Sequence, residues 1–124
     1  MTKVVSGKEM IRVEQLSYKS NKDLPLKYME SAGKAIADYI LNLNNKKFQS
    51  LLLLCHKGNN SGDAYVCGRY LLEKKLKVAS FRVGEQKESN LCKLNHDLFV
   101  KSGGENISSL DKLESYDLII DGLL

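Results

Sequence analysis

Apolar residues recur along this chain at two different periods, and the two alternate. Leu26, Met29, Gly33, Ile36, Ile40 and Leu43 follow one another at spacings of three and four. That is the stripe of an amphipathic helix, and Pro25 fits its first turn because a missing N–H is harmless there. Gly33 costs stability in mid-helix relative to alanine, which implies close packing against another element at that point. Leu51-Leu52-Leu53-Leu54 inside Gln49–Cys55 reads as a buried strand. Asp63–Lys75 then predicts a helix with Val66, Tyr70 and Leu71 inward, and Lys77–Val83 alternates as a second strand. Ser89-Asn90 caps a further helix carrying Leu91, Leu94, Leu98 and Phe99, stopped by Ser102-Gly103-Gly104. Ser108-Ser109 opens a short helical turn through Leu113, and Tyr116–Asp121 is the last strand. Upstream, Ser6-Gly7-Lys8-Glu9 is a capping box that predicts a polar helix over about Lys8–Ser20, ended by Asn21-Lys22-Asp23.

Strands alternating with helices imply right-handed crossovers and a mostly parallel sheet. The expected fold is an α/β, Rossmann-like three-layer αβα arrangement, with two helices preceding the first strand. Ligands of such sheets sit at the carboxyl ends of the strands, where strand order reverses. The loop at 57–62 and Asp121 both lie at strand carboxyl ends, so they are expected to share one crevice.

At 124 residues the chain suits one domain, spanning 1–124. No stretch approaches the ~18 apolar residues of a membrane span, and no secretory pattern opens the sequence, so a cytoplasmic location is expected. The net charge is +4, with lysines dispersed among glutamates as a solvated surface rather than a nucleic-acid stripe. Cys55, Cys67 and Cys92 are odd in number and lack metal-ligand spacing, so they read as reduced, buried thiols. Cys55, beside the key loop, leaves a nucleophile as the alternative.

The chemistry concentrates in Cys55-His56-Lys57-Gly58-Asn59-Asn60-Ser61-Gly62-Asp63. A strand, a glycine-containing loop and a helix N-terminus in that order make a phosphate or nucleotide cradle. The asparagines and the aspartate add oxygens that suit a cation or a sugar hydroxyl. Asp63 reads either as the helix N-cap or as a substrate contact.

Gly58-Asn59-Asn60-Ser61-Gly62-Asp63 followed by Arg69-Tyr70-Leu71 resembles the GNNGGDG…AR-x-L signature of the NAD(P)H-hydrate epimerase family, the YjeF N-terminal domain. Leu26–Ala35 is similar to that family's LMExAGxA helix, and Tyr116–Leu124 to its DLIVDALFGxG strand and loop. The resemblance implies an isomerase that interconverts the R and S C6-hydrates of NADH and NADPH, NADHX and NADPHX. An ATP- or ADP-dependent NAD(P)H-hydrate dehydratase then regenerates the cofactor, as a separate or fused partner. By position it implies that Asn59, Asn60, Ser61, Gly62 and Asp63 bind substrate. It further implies one potassium ion (K+) per subunit on Asn60 and Asp121. Asp121 and Asp63 are the two carboxylates expected at the crevice, and so the candidate catalytic groups. Epimerisation needs an acid for the departing oxygen and a base for the returning water, which carboxylates supply.

His56, Ser61 and Ala64 depart from glycines of the family pattern. The family continues past its DALFG strand into a glycine-rich loop and a DxPSG segment that complete its site. A chain ending at Leu124 is therefore expected to be a truncated form of the domain, with weak activity alone. The competing reading is a non-catalytic scaffold of the same fold, associated with RNA or protein. The apolar face of the leading helix pair raises the expectation of a homodimer.

Overall fold

The computed structural model describes residues 3–5, 25–44 and 47–123. The helix expected over Lys8–Ser20 and its capping box lie outside these residues. Five strands form one parallel sheet: β1 (Lys3–Val5), β2 (Ser50–Cys55), β3 (Lys77–Arg82), β4 (Glu105–Asn106) and β5 (Leu118–Gly122). Their spatial order is β1-β5-β2-β3-β4. The three expected strands are the three central ones. The two edge strands were not expected, because Lys3-Val4-Val5 and Glu105-Asn106 are too short to show a period and form by pairing with a neighbour already in place.

Three helices complete the described fold: α1 (Pro25–Asn44), α2 (Asn59–Glu73) and α3 (Asn90–Lys101), with a 3₁₀ turn at Leu113–Ser115. They lie side by side, α2 flanked by α1 and α3, and so make one layer among the described residues. Leu51, Leu53, Cys55, Leu118 and Ile120 meet Ala64, Tyr65, Cys67 and Leu71 of α2 in a common core. Within β5 the alternate residues Ile119 and Asp121 turn to the other face.

The α1 stripe is used inside the fold: Met29, Ile36 and Ile40 are buried, along with Ala32 and Ala37. Leu26 and Leu43, expected inward, are exposed. A 15-residue α2 is shorter than the 20 residues of α1 and does not span its full length. Close packing at Gly33 is as expected: a Cβ there would lie 2.4 Å from Val66 Cβ and 2.9 Å from the Asp63 carbonyl. One turn away the Glu30 carboxylate pairs with Arg69 and accepts the Tyr70 hydroxyl at 2.5 Å. Burial opposes ionisation of Glu30, but the hydrogen bonds from Arg69 and Tyr70 outweigh it and hold the carboxyl below its ordinary range. On the other flank Tyr65 stacks on His96 with ring centroids 4.2 Å apart, and it touches Phe99 at 5.6 Å. No helix among the described residues is long and apolar enough to cross a membrane.

Candidate functional site

β2 lies between β3 and β5, the strands reached by chain paths running in opposite directions, so strand order reverses at the β2–β5 pair. Cys55 and Gly122 end that pair in register. Three residues, His56 to Gly58, separate β2 from α2. The helix begins at Asn59, four residues before the expected Asp63, because Gly58 takes the N-cap position with extended backbone at φ −102° and ψ −167°. Asparagine, serine and glycine favour caps and turns over helix interiors, which is why the pattern of apolar residues set the boundary late. Asp63 is thus inside the helix and is not its N-cap.

Among the described residues no side chain caps α2. Its amino end carries the positive pole of the helix dipole and the outward N–H groups that favour an anion. Ser61 is buried, and its hydroxyl accepts the His56 N–H at 2.6 Å while donating to the Gly122 carbonyl at 2.8 Å. The substitution of a family glycine by serine therefore ties three segments of the site together. A Cβ on Gly122 would sit 3.3 Å from the Asn60 carbonyl, so the first turn of α2 lies directly against the end of β5.

Asn59 is exposed and Asn60 is 5% exposed. Asp121 is half-buried at the end of β5, and its Oδ1 accepts the Leu123 N–H at 3.0 Å. Asp121 is in register with Leu54, so it and the loop that follows Cys55 stand at the same end of the sheet. Asp63 is different: it is fully buried, and its carbonyl lies against Gly33 of α1. Gly62 packs under Met29, where a Cβ would come within 2.5 Å of the sulfur. Of the two candidate carboxylates, Asp121 is the one that solvent reaches.

Asn60 and Asp121 carry neutral and anionic oxygens of the kind that hard cations take. They are two donors, a partial set. Among the described residues no group of three or more His, Cys, Asp or Glu side chains is arranged to hold a metal ion. A cation here would rely on carboxamide and carbonyl oxygens beside Asp121. The thiols offer no alternative chemistry, since burial pushes Cys55 up to about 12 and Cys67 and Cys92 higher still. The His56 Nδ1 lies 2.8 Å from the Val83 carbonyl, so that nitrogen carries the proton and the ring ties the loop to the end of β3.

The alternation over Lys77–Val83 assigns Arg82 no role beyond the strand. Arg82 ends β3 beside Cys55, with Nε and Nη2 buried and without a hydrogen-bond partner among the described residues. The pattern likewise marks Asp117 only as a strand residue. Its Oδ2 accepts the N–H groups of Gln49 at 2.8 Å and Ser50 at 3.2 Å, clasping the amino ends of β2 and β5. A hollow of about 910 Å³ lies at that amino end, lined by Lys75, Lys77, Tyr116 and Asp117 among others, remote from the asparagine loop.

Residues 26–124 match the YjeF-related protein N-terminus family. Over 107 residues the chain is 35% identical to an NAD(P)H-hydrate epimerase of Elusimicrobium minutum, covering 77% of this chain and 48% of that protein. It is 30% identical over 129 residues to a bifunctional NAD(P)H-hydrate repair enzyme Nnr of Corynebacterium glutamicum, covering 99% of this chain and 22% of that one. In fold it matches the crystal structure of the yeast protein YNL200c with a TM-score of 0.70 at 20% identity, over 98% of this chain and 56% of that chain. The chain spans about half the length of the epimerase it matches. With four-fifths of its length inside the family's bounds, the chain belongs to the YjeF-related protein N-terminus family.

Proposed function

We propose that this chain is part of an NAD(P)H-hydrate epimerase, an isomerase acting on the C6-hydrates of NADH and NADPH. The observation that carries this reading is the meeting of three features at the β2–β5 switch point. They are the uncapped start of α2, the Asn59-Asn60 pair and the carboxylate of Asp121. The helix start offers N–H groups to the anionic part of a dinucleotide. Asn59 and Asn60 offer carboxamides to its hydroxyl and amide groups. Asp121 is the carboxylate reachable from the crevice, and it is assigned the proton transfer at the departing and returning C6 oxygen. Asp63, enclosed beneath α1, is assigned to hold the first turn of α2 in place against substrate. Asn60 and Asp121 would hold the potassium ion, which when bound supplies a fixed positive charge beside the reacting hydroxyl.

Similarity to a bifunctional repair enzyme supports the further reading that a dehydratase is the functional partner, consuming one of the two epimers. The test is chromatographic. Purified S-hydrate of NADPH is incubated with this chain, and separately with the full-length gene product, and the R-hydrate is followed against a buffer control. Interconversion above the control in either sample supports the reading. Interconversion no faster than buffer in both overturns it and leaves the scaffold reading in its place.

A further inference from the structure

The dinucleotide reading leaves open which of the two hydrates the site takes, and Arg82 bears on that question. β3 is the strand that follows the helix of the asparagine loop, and it ends on Arg82, 20 residues after Gly62. The pairing with β2 runs to this edge: Arg82 is in register with Cys55, and the Val83 N–H donates to the Cys55 carbonyl at 2.8 Å. Arg82 therefore stands at the carboxyl rim of the sheet, one strand over from the switch point. In dinucleotide-binding sheets the end of this strand reads the adenosine ribose, an acidic side chain taking the 2′-hydroxyl and an arginine accommodating a 2′-phosphate.

The surroundings of Arg82 fit the second case. Among the described residues its buried Nε and Nη2 have no hydrogen-bond partner, and no carboxylate forms an ion pair with it. The nearby Glu88 is already engaged, with Oε2 2.9 Å from His96 Nδ1 and 3.4 Å from the Cys92 thiol. A guanidinium with buried, unsatisfied donors is an unfavourable arrangement, and turning the side chain outward at the rim relieves it on an anion. Its fork matches the oxygens of a phosphate monoester. Glu85, the nearest acidic residue along the chain, is exposed beyond the left-handed Gly84.

We propose that Arg82 reads the 2′-phosphate of the adenosine ribose, so that this site takes the hydrate of NADPH in preference to that of NADH. The proposal rests on the dinucleotide reading above, and the test separates the two. Calorimetric titration of the chain with 2′-phospho-ADP-ribose and with ADP-ribose measures the preference with no turnover needed. The phosphorylated ligand is expected to bind roughly ten- to hundredfold tighter, the range of a charged hydrogen-bonded contact. Arg82→Gln should abolish that ratio while leaving ADP-ribose affinity within about twofold, and Arg82→Lys should retain part of it. Both variants are expected to melt no lower than the wild type, since an unpaired buried charge contributes little to stability. Equal affinity for the two ligands in the wild type overturns the proposal. An equal loss of both ligands in Arg82→Gln also overturns it, because the arginine would then hold the bridging diphosphate. In either case the dinucleotide reading stands. Binding of neither ligand by the wild type, together with no interconversion in the hydrate assay, removes the dinucleotide reading and this proposal with it.

Discussion

The Ser61 hydroxyl donates to the Gly122 carbonyl at 2.8 Å and accepts the His56 N–H at 2.6 Å. One buried oxygen thereby joins the end of β2, the first turn of α2 and the end of β5, which are the three segments that frame the crevice. Ser61→Ala leaves that donor and that acceptor facing a methyl group. The expected loss is about 1–3 kcal/mol of unfolding free energy, the usual penalty for stranding buried polar groups. Urea denaturation at equilibrium measures it, with an unchanged slope if the native state stays compact. A loss below about 0.5 kcal/mol, the level of an ordinary surface substitution, would mean the bridge is ornamental.

Gly33 permits the closest approach of α1 to α2. Alanine there would gain about 1 kcal/mol of helix propensity in isolation. In this fold its methyl group would fall 2.4 Å from Val66 Cβ and Cγ1, so overpacking wins and Gly33→Ala is expected to destabilise by about 1–3 kcal/mol. Adding Val66→Ala removes Cγ1 and keeps Cβ, so it relieves part of the overlap. The double variant should therefore lose less than the sum of the two single losses, which a double-mutant cycle in urea reads directly. Simple additivity would place the conflict elsewhere.

The central architecture was legible because each central element is long enough to show a period. The four leucines of β2, the stripe of α1 and the Ser89 cap of α3 all behave as their residues dictate; the Ser89 hydroxyl accepts the Cys92 N–H. What was not legible depends on partners distant in sequence. Lys3–Val5 becomes a strand by pairing with β5, more than 100 residues away. The start of α2 was placed late because Asn59, Asn60 and Ser61 prefer caps when considered locally, whereas contact with Gly122 and His56 settles them in the helix. For the site, residue types at strand ends pointed to the crevice. Burial separates Asp121 from Asp63 within it, and burial is a tertiary property that spacing along the chain does not carry.

Glu30 ties the two helices by charge. Its carboxyl titrates below the ordinary 4.5 because the hydrogen bonds from Arg69 and Tyr70 outweigh the burial that opposes them. A carboxyl depressed in the folded state adds stability that is present above the unfolded pKa and lost as pH falls through the folded one. Wild type should thus exceed Glu30→Gln in stability near neutral pH, and the gap should close as the pH is lowered below about 4.5. Denaturation series at several pH values show this. A gap that stays constant with pH would assign the effect to shape rather than charge.

Potassium is the last requirement of the proposed site that a measurement on this chain can reach. Asn60 belongs to the helix turn whose carbonyl meets Gly122, and Asp121 is the residue before it, so an ion shared by the two would bridge α2 and β5 across the crevice. Binding to the folded state alone raises stability by about 2.7 kcal/mol at a hundred times the dissociation constant. For a domain of this size that corresponds to a melting shift of roughly 5–10 °C. The shift is expected in potassium chloride and not in sodium chloride at equal ionic strength, which controls for screening. Asn60→Ala and Asp121→Asn should each abolish the difference between the two salts. Wild-type melting that is identical in both salts would take the ion out of the proposed site and leave Asp121 to act on substrate without it.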